Sequence, residues 1–495
     1  MTSNKLSELQ PEQVWKIFYE ITQVPRPSKK EEKIREWIKN WAKKNNVQFK
    51  EDETGNILLT KEASEGCENY PTLVIQAHMD MVCQANDPNF NCEEDPIPVT
   101  FNETYVYSQG TSLGADNGIG LAMGLALFLD ENIKHGKLEL LITVDEETGL
   151  TGAFNVKRGF FTGKYLLNVD SEDLGKITIS SAGGGGTQID VPIELENIAN
   201  LEDWIEIRFA ISGLQGGHSG VDIHLPRANA IKVAISALNF LRDKFSELEI
   251  KPFHLVSIEG GTAHNAIPRD CTVRLAILKE NEKEAKKALK EWLRKNSHEI
   301  REYEPNFKFE MFEKDKAEKI FTEESTNNVI YVLDEVQHGV ISYNKEINDL
   351  VQTSSNLAVV KTGEKQVKIY ISTRSSVMKE LEEVRLKLRK IGEKVKANIT
   401  QEKAYPGWEP DLNSPFLKLV KELYEQVYKK KVKLEAIHAG LECSLFLALD
   451  PNLQVTSIGP TIISPHSPDE KVEIESVNVI WGVIRSIAEN MNKLS

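Results

Sequence analysis

The sequence predicts an α/β domain, a sheet flanked by helices, into which an α+β domain is inserted. Its 495 residues are too many for one hydrophobic core, so at least two domains are expected. Short apolar strand patterns alternate with helical patterns in the first part of the chain, as in a sheet covered on both faces. Longer, more amphipathic strand patterns and long, charged helical patterns follow, and the first kind of pattern then returns. We therefore expect residues 1–186 and 401–495 to form the α/β domain and residues 187–400 the inserted domain.

The first part opens with two predicted helices within residues 11–45, the second of which begins with a capping-box pattern from Ser28 to Glu31. A later segment, GIGLAMGLALFL (118–129), is a predicted helix whose Gly120 and Gly124 would let it lie close on a sheet. The strands that flank this helix are short and apolar: NILLT (56–60), TLVIQAH (72–78), LELLITVD (138–145) and KYLLNVD (164–170).

The stretch SSAGGGG (180–186) is expected to act as a hinge. Beyond it the strand patterns are longer and more amphipathic, and the helices predicted at 286–296 and 377–396 are long and charged, which indicates an α+β domain. The turn-rich stretch at 404–415 closes this domain. The apolar strand LQVTSIG (453–459) and a last helix then resemble the first part again.

Charge and cysteine content narrow the classes of partner and compartment. The net charge of −15 leaves no basic surplus to neutralise phosphates, which excludes nucleic acid and an anionic membrane as expected partners. We see no secretory signal and no apolar run near the roughly 18 residues that a spanning helix needs. The five cysteines form no CxxC pair, which favours a reducing compartment and argues against a thiolate zinc site. A cytoplasmic protein is expected.

Ligand-type residues follow the predicted strands at the edge where open α/β sheets place their sites. His78 and Asp80 lie two positions apart, so Asp80 could hold one ring nitrogen of His78 while the other binds a metal. Taken alone, such a pair is more often structural. Asp116 precedes the glycine-rich helix, where it could bridge metals or simply cap the helix.

Three adjacent carboxylates end the strand LELLITV. Asp145, Glu146 and Glu147 repel one another unless a cation neutralises them, although a solvated acidic loop is an equally good interpretation. Because Glu146 and Glu147 point in different directions, one could bind metal while the other serves as a base. The sequence alone leaves the alternatives open.

Two further residues complete a set of possible metal ligands. Asp170 ends another apolar strand, and His466 lies far downstream in a loop fixed by prolines. Two histidines and three carboxylates suit two zinc ions bridged by one carboxylate, with a shared water. Cobalt or manganese would fit the same ligands.

Five segments in this order resemble the metal motifs of a known family, the co-catalytic dinuclear zinc peptidases that include aminoacylase, carboxypeptidase G and the bacterial dipeptidases. They are HMD (78–80), GADNG (114–118), DEETG (145–149), NVD (168–170) and PHSPDE (465–470). Further segments resemble the subgroup that cleaves Xaa-His dipeptides, and they extend the resemblance over nearly the whole chain: residues 15–34, 180–187, 213–231, 264–269, 371–376 and 438–443.

The resemblance implies a catalytic domain with a mixed sheet and two Zn²⁺ ions. It implies that Asp116 bridges the two ions and that the peptide bond after it is cis. His78 and Asp170 would be the other ligands of one ion, and Glu147 and His466 those of the second. Glu146 would be the general base, and Asp80 would hold His78.

The inserted domain resembles the lid of this family. The resemblance implies that His218 stabilises the oxyanion, from the partner subunit in dimeric relatives. It also implies that Asn265 and Arg374 hold the terminal carboxylate of the substrate, with the Gly440 loop nearby in the substrate-binding site. Without the resemblance these would be ordinary loop, turn and strand residues. A homodimer through the lid is expected.

The expected activity is metal-dependent hydrolysis of dipeptides, among them Xaa-His substrates such as β-alanyl-histidine. A carboxypeptidase or an N-acyl-amino-acid deacylase of the same fold is the alternative, because each needs the same activated water. A non-catalytic metal-binding protein is disfavoured by the presence of Glu146 beside the ligand glutamate.

Overall fold

The computed structural model describes residues 6–198, 200–313, 317–345, 347, 349–438 and 440–494. The chain divides into two compact units. The first contains the described residues up to Ser181, Trp408–Ala436 and the described residues from Leu441 onward; the second contains Ala182–Gly407 and Ile437–Gly440. These boundaries lie a few residues from the predicted ones, and the assignment of a catalytic domain and a lid remains a prediction.

Helices and strands are numbered in chain order within the described residues. The α-helices are α1 (Glu12–Thr22), α2 (Glu32–Lys44), α3 (Ala115–Leu129), α4 (Thr151–Asn155), α5 (Ala230–Glu247), α6 (Glu282–Tyr303), α7 (Glu323–Glu335), α8 (Met378–Lys394), α9 (Pro415–Tyr428), α10 (Glu442–Leu449) and α11 (Ile474–Glu489). The strands up to the first boundary are β1 (Gln48–Glu51), β2 (Ile57–Lys61), β3 (Leu73–His78), β4 (Val99–Phe101), β5 (Tyr105–Ser108), β6 (Leu138–Thr143), β7 (Tyr165–Asn168) and β8 (Lys176–Ser181).

The strands that follow are β9 (Gly183–Pro192), β10 (Leu195–Asn197), β11 (Trp204–Ser212), β12 (Gly217–His218), β13 (His254–Gly260), β14 (Ala266–Ile267), β15 (Cys271–Leu278), β16 (Lys308–Glu313), β17 (Lys319–Phe321), β18 (Gly339–Tyr343), β19 (Val351–Thr362), β20 (Gln366–Ser375) and β21 (Asn398–Gln401). The last are β22 (Lys433–Ile437), β23 (Gln454–Ser457), β24 (Ile462–Ile463) and β25 (Lys471–Glu473).

The first unit is built on a mixed sheet with the order β1-β2-β6-β3-β7-β23-β8-β22. Strand β3 pairs in parallel with β6 and with β7, whereas β2 and β6 are antiparallel. Strands β3 and β6 are buried at every position, as predicted for a sheet covered on both faces. The carboxyl ends of β3, β6 and β7 therefore lie at one edge of the sheet.

Helix α3 packs on β3 and β6. A Cβ added at Gly124 would lie 2.7 Å from Cδ1 of Leu140, and one at Gly120 would lie 2.5 Å from the carbonyl oxygen of Val169. The prediction that these two glycines allow a close approach to the sheet is confirmed.

The second unit has an antiparallel sheet in the order β16-β11-β15-β13-β19-β20-β9-β21, with β18 beside β19. One hydrophobic core joins this sheet to helices α5 to α8; among its fully buried members are Phe209, Leu238, Leu289 and Ile369. The predicted α/β fold with an inserted α+β domain is confirmed.

The stretch 180–186, expected to act as a hinge, belongs to β8 and β9 except at Ala182 and contains the boundary between the two units, so its role as a hinge stays a prediction. Two other predictions are wrong. Ser28 does not cap α2, because its hydroxyl donates to Asp80 Oδ2 instead, at 2.8 Å. Cys83 and Cys92 form a disulfide, which the odd cysteine count did not lead us to expect. Within the described residues we find no helix with the length and apolar character needed to cross a membrane.

Candidate metal centre

His78, the last residue of β3, meets two carboxylates. Its Nε2 lies 3.1 Å from Oδ1 of Asp116 and 3.2 Å from Oδ1 of Asp170, which follows β7. Asp116 lies at the start of α3 and its peptide bond to Asn117 is cis, as predicted. The N-cap of α3 is Gly114, so Asp116 does not serve as the cap.

The second oxygen of Asp116 meets a second group. Oδ2 lies 3.0 Å from Nε2 of His466, in the turn between β24 and β25, and the same nitrogen lies 3.0 Å from Oε2 of Glu147. Asp116 thus presents one oxygen to each of two pairs, His78 with Asp170 and His466 with Glu147. The structure brings together all five residues for which the sequence predicted metal ligation.

The geometry of both histidines suits a bound cation. A neutral imidazole carries a single N–H, yet each Nε2 faces two carboxylate oxygens. Oε1 of Glu147 and Oδ1 of Asp170 are buried without a hydrogen-bond partner among the described residues. Nitrogen and oxygen donors of this kind are the ordinary ligands of Zn²⁺, so the residues fit a metal.

The pKa shifts follow from the crowding of acids and histidines, all of them buried side chains except His466, which is 46% exposed. Burial raises the pKa of Asp170 to about 7. Hydrogen bonds to Asp116 and Glu147 raise the pKa of His466 to about 11. Burial alone would raise the pKa of Asp116, but hydrogen bonds from His466 and His78 outweigh it and lower that pKa. The site is thus one in which several charges require a neutralising partner.

Asp80 links the first histidine to the loop after β6. Its Oδ1 lies 3.4 Å from Nδ1 of His78 and accepts a hydrogen bond from the backbone N–H of Glu146 at 3.0 Å. Oδ2 accepts from the backbone N–H of Glu147 at 3.3 Å. Burial raises the pKa of Glu146 well above its usual value. The residue predicted to hold His78 therefore also accepts the backbone N–H groups of both glutamates.

A second acidic group, formed by Glu31, Asp80 and Asp145, has its oxygens engaged by donors. Glu31 Oε1 accepts from the N–H of Lys29 and of Asp145, and Asp145 accepts from the hydroxyls of Thr148 and Thr151. These contacts explain the cluster as a structural one.

The sequence analysis missed a buried polar network beneath the site. Glu442, at the start of α10, is fully buried, and its Oε2 accepts from Gln76 Nε2 at 2.6 Å and from Thr143 Oγ1 at 2.7 Å. Gln76 in turn accepts from Asn168 Nδ2 at 2.6 Å. Gln76 and Asn168 lie two residues before His78 and Asp170. Burial raises the pKa of Glu442 to about 8. Two other missed residues, Arg26 and Glu470, contact the loop that carries Asp116.

The predicted lid residues belong to the second unit. Strands β12 and β14 pair, and the N–H of Ser219 donates to the carbonyl oxygen of Asn265 at 2.8 Å, next to His218. Nδ1 of His218 accepts backbone N–H groups of Gly220 and Val221 at 3.3 and 3.1 Å. Burial, followed by the charge of Arg374, lowers the pKa of His218.

Arg374 lies on β20 and donates from Nη1 to the hydroxyl of Tyr405 at 3.2 Å. Its Nε is buried without a hydrogen-bond partner among the described residues. A Cβ added at Gly440 would lie 3.1 Å from the ring of Tyr405, and one at Gly184 would lie 2.5 Å from its hydroxyl. The second unit therefore groups a guanidinium, a phenol and two glycines.

Comparison with known proteins agrees with this geometry. The model of peptidase family M20/M25/M40 matches residues 74–490. The chain belongs to this family. Cytosol non-specific dipeptidase of Escherichia coli strain K12 is 37% identical over 492 residues, which cover 99% of each chain. The prediction of a peptidase, and hence of an enzyme, is confirmed.

Solved structures extend the similarity to the fold. Aminoacylhistidine dipeptidase from Vibrio alginolyticus superposes with a TM-score of 0.89 at 36% identity, covering 98% of each chain. Aminopeptidase PepT from Bacillus cereus superposes with a TM-score of 0.55 at 17% identity, covering 98% of this chain and 99% of that one, and shares the fold. The predicted resemblance to the zinc peptidase family is therefore confirmed at the level of family and fold.

Proposed function

We propose that the chain is a metal-dependent dipeptidase that hydrolyses unblocked dipeptides, with Xaa-His substrates such as β-alanyl-histidine among them. One observation carries the proposal: Asp116 presents one oxygen to each of two histidine–carboxylate pairs, with Glu146 adjacent. The printed activities of the two similar dipeptidases, at 37% and 36% identity over nearly the full length, support the substrate class.

The ligand set would hold two cations, with Asp116 shared between them. His78 and Asp170 would complete one, and Glu147 and His466 the other. Zinc suits these donors, and cobalt or manganese would fit them as well. When bound, the pair would polarise the scissile carbonyl and lower the pKa of a shared water towards neutrality.

Glu146 would act as the general base and then as the acid. It takes a proton from the attacking water and delivers it to the leaving amine. Burial raises the pKa of Glu146, which makes its carboxylate a stronger proton acceptor than a solvated one. Asp80 accepts the backbone N–H of Glu146, and its Oδ1 lies 3.4 Å from Nδ1 of His78, so it would hold the base and the ligand in fixed positions.

We assign the first unit as the catalytic domain and the second as the lid. Because Nδ1 of His218 accepts two N–H groups, its proton is on Nε2, which makes that atom a donor suited to an oxyanion. Arg374, with Nε free of protein partners among the described residues, would pair with the terminal carboxylate of a dipeptide, assisted by Asn265 and the Gly440 loop.

The proposal includes a homodimer formed through the lid and a cytoplasmic location. The family resemblance supports the dimer, because dimeric relatives exchange the histidine that matches His218. The name of the Escherichia coli relative supports the location. Static light scattering on the purified protein tests the dimer, and a monomeric mass would contradict it.

A substrate panel tests the activity. The zinc-loaded protein is incubated with β-alanyl-histidine, unblocked dipeptides, tripeptides and N-acylated dipeptides, with and without chelator. We expect chelator-sensitive cleavage of the unblocked dipeptides alone. Cleavage confined to N-acylated substrates would show a deacylase, and release of C-terminal residues from longer peptides would show a carboxypeptidase.

The amide of β-alanyl-histidine serves as a matched substrate for the carboxylate contact. The unmodified protein should prefer the free acid, and Arg374→Met should remove most of that preference through a higher KM for the acid alone. An equal rise in KM for both substrates would exclude the assigned role of Arg374.

A further inference from the structure

Glu470 holds the backbone of the loop that carries the shared ligand. Its side chain is buried, with 2% of its surface exposed. The two carboxylate oxygens accept four consecutive backbone N–H groups, at distances between 2.8 and 3.2 Å; the donors are Leu113, Gly114, Ala115 and Asp116. Glu470 lies four residues after His466, so one short segment contributes a ligand and also fixes the loop of another ligand.

Arg26 contacts the same loop at one backbone carbonyl group. It is 1% exposed, and its Nη2 donates to the carbonyl oxygen of Gly114 at 2.5 Å. Its Nη1 donates to the carbonyl oxygens of Met79 and Asp80 at 2.9 and 2.8 Å. Arg26 therefore ties the loop after His78 to the loop before Asp116.

The two glycines of the GADNG motif make room for this guanidinium. A Cβ added at Gly114 would lie 2.6 Å from Nη2 of Arg26, and one added at Gly118 would lie 2.5 Å from the same atom. Gly114 also has a φ of +69°, which favours glycine. The glycines of the motif therefore leave space for the guanidinium of Arg26, beside the predicted metal ligand Asp116.

Burying a cation and a carboxylate is unfavourable unless hydrogen bonds compensate for the lost water. Here backbone groups compensate each charge, those of the Asp116 loop for Glu470 and those of two loops for Arg26. Gly114 is held from both sides, at its N–H by Glu470 and at its carbonyl by Arg26. Charge-assisted hydrogen bonds of this kind are stronger and more directional than neutral ones. Such an arrangement restricts the position of the next ligand along the chain, Asp116.

We infer that Arg26 and Glu470 are positioning residues, a buried clamp that places Asp116 so that each of its oxygens serves a different cation. The inference rests on the proposed function, since it concerns the binding of two metals. Neither residue reaches the reacting atoms in this account; each acts through the Asp116 loop. Loss of either should loosen that loop and weaken binding of the cation pair more than it weakens the fold.

Metal binding to the metal-free protein tests the clamp independently of activity. Glu470→Gln would oppose an NH₂ group to backbone N–H donors, and Arg26→Lys would keep the charge but lose the planar fork. Competition with a zinc chelator should show roughly 10- to 100-fold weaker zinc binding for each variant, the size typical of lost residues that orient metal ligands. The kcat should fall with it, with little change in KM.

Glu139→Gln is the matched control. Glu139 is also a buried carboxylate that accepts loop N–H groups, from Thr162 at 2.7 Å and Gly163 at 3.0 Å. It lies at the amino end of β6, away from the edge that carries the ligands. We expect a lower unfolding temperature for this variant but unchanged zinc affinity.

The outcomes separate the clamp from the proposed function. Zinc affinity in Glu470→Gln and Arg26→Lys equal to that of the unmodified protein would overturn the clamp alone, as would an equal loss in Glu139→Gln. Failure of the unmodified protein to bind two ions would instead overturn the proposed function. If one of the two clamp variants does not fold, the other decides, because the two contact different groups of the same loop.

Discussion

Glu146 and Glu147 show how neighbouring residues of one type can take different roles. Asp145 adopts a left-handed conformation with φ of +47°, which turns the chain after β6. Oε2 of Glu147 lies 3.0 Å from Nε2 of His466, whereas Glu146 forms no ion pair among the described residues. The charges of His78 and Glu442 act on the pKa of Glu146 instead. The side chains therefore have different surroundings although their backbones share one partner, Asp80.

Substitution of each glutamate by glutamine separates catalysis from metal binding. Glu146→Gln should keep the metal content of the protein and lower kcat by about 10²- to 10⁴-fold, the usual contribution of a general base. Glu147→Gln should lose zinc, because one ligand charge is removed. Metal content by elemental analysis and kcat on β-alanyl-histidine check both. Near-full activity in Glu146→Gln would remove this residue from the role of base.

His438 gives the second unit a dependence on pH. It is buried, its Nε2 lies 2.7 Å from the hydroxyl of Ser354, and burial lowers its pKa to about 3. The unfolded chain takes up a proton near pH 6.5 and the folded one does not, so stability is full above pH 6.5 and falls below it. Between pH 7 and pH 5 this group should remove about 2 kcal/mol of stability.

Urea unfolding at pH 7 and pH 5 measures this loss. His438→Gln should show a smaller difference between the two pH values than the unmodified protein. His298→Gln is the control, since that side chain is 90% exposed and should leave the difference unchanged. An identical pH dependence in all three proteins would contradict the assignment.

The sequence identified the residues of the site only where the local pattern carries the signal. His78, Asp116, Glu147 and Asp170 follow apolar strands or precede a helix, so their position at one sheet edge could be inferred. Glu470 could not, because its partners are backbone N–H groups more than 350 residues away in sequence. Glu442 and Gln76 are 366 residues apart, and only the fold brings them together.

At the level of single elements, α3 connects close packing to the site. Asn117 donates from Nδ2 to the carbonyl oxygen of Val169 at 2.8 Å, just before Asp170. A Cβ at Gly120 would lie 2.6 Å from Oδ1 of Asn117 and 2.5 Å from the carbonyl oxygen of Val169. The three atoms nearest to a Cβ at Gly124 all belong to the side chain of Leu140. The two glycines therefore have different consequences if replaced.

Gly120→Ala should be the more damaging substitution. Overpacking typically costs about 1–3 kcal/mol, and the contact with a backbone carbonyl cannot relax by a rotamer change. The variant should also bind zinc more weakly, since Asp116 and Asp170 flank the displaced groups. Gly124→Ala should lose less stability and keep its zinc affinity, because Leu140 can move. Thermal unfolding and chelator competition measure both, and equal zinc affinities would contradict the prediction.

The four glycines of β9 show why a strand was not predicted at 183–186. Their Cβ atoms would meet the Tyr405 segment, Arg385 and Tyr370. Glycine is needed there because side chains cross the strand closely, which no local pattern reveals. Strands β2, β3, β6 and β7, by contrast, could be predicted because each is a short apolar run buried on both faces.

For the whole molecule, the predicted α/β fold with an inserted α+β domain agrees with the two units and their sheets. The boundaries at 181/182 and 407/408 follow contacts and lie within seven residues of those expected. The segment Ile437–Gly440 belongs to the second unit although it lies far past the second boundary. The composition of this short segment does not indicate that it belongs to the second unit.

Metal removal should destabilise the protein as a whole. Ions that bind only the folded state stabilise it by about 2.7 kcal/mol each when present at 100 times the dissociation constant. Thermal unfolding in chelator should therefore begin at a lower temperature, and added zinc should restore it. Asp116→Asn provides the control and should respond little to zinc. An equal response in this variant would show that the stabilising ions bind elsewhere.

Anomalous diffraction from crystals of the zinc-loaded protein tests the central claim most directly. The account predicts two peaks, one at about 2.0–2.2 Å from Nε2 of His78 and an oxygen of Asp170, the other at similar distances from Nε2 of His466 and an oxygen of Glu147. Each peak should have its own oxygen of Asp116. A single peak, or peaks at Glu31, Asp80 and Asp145 instead, would contradict it.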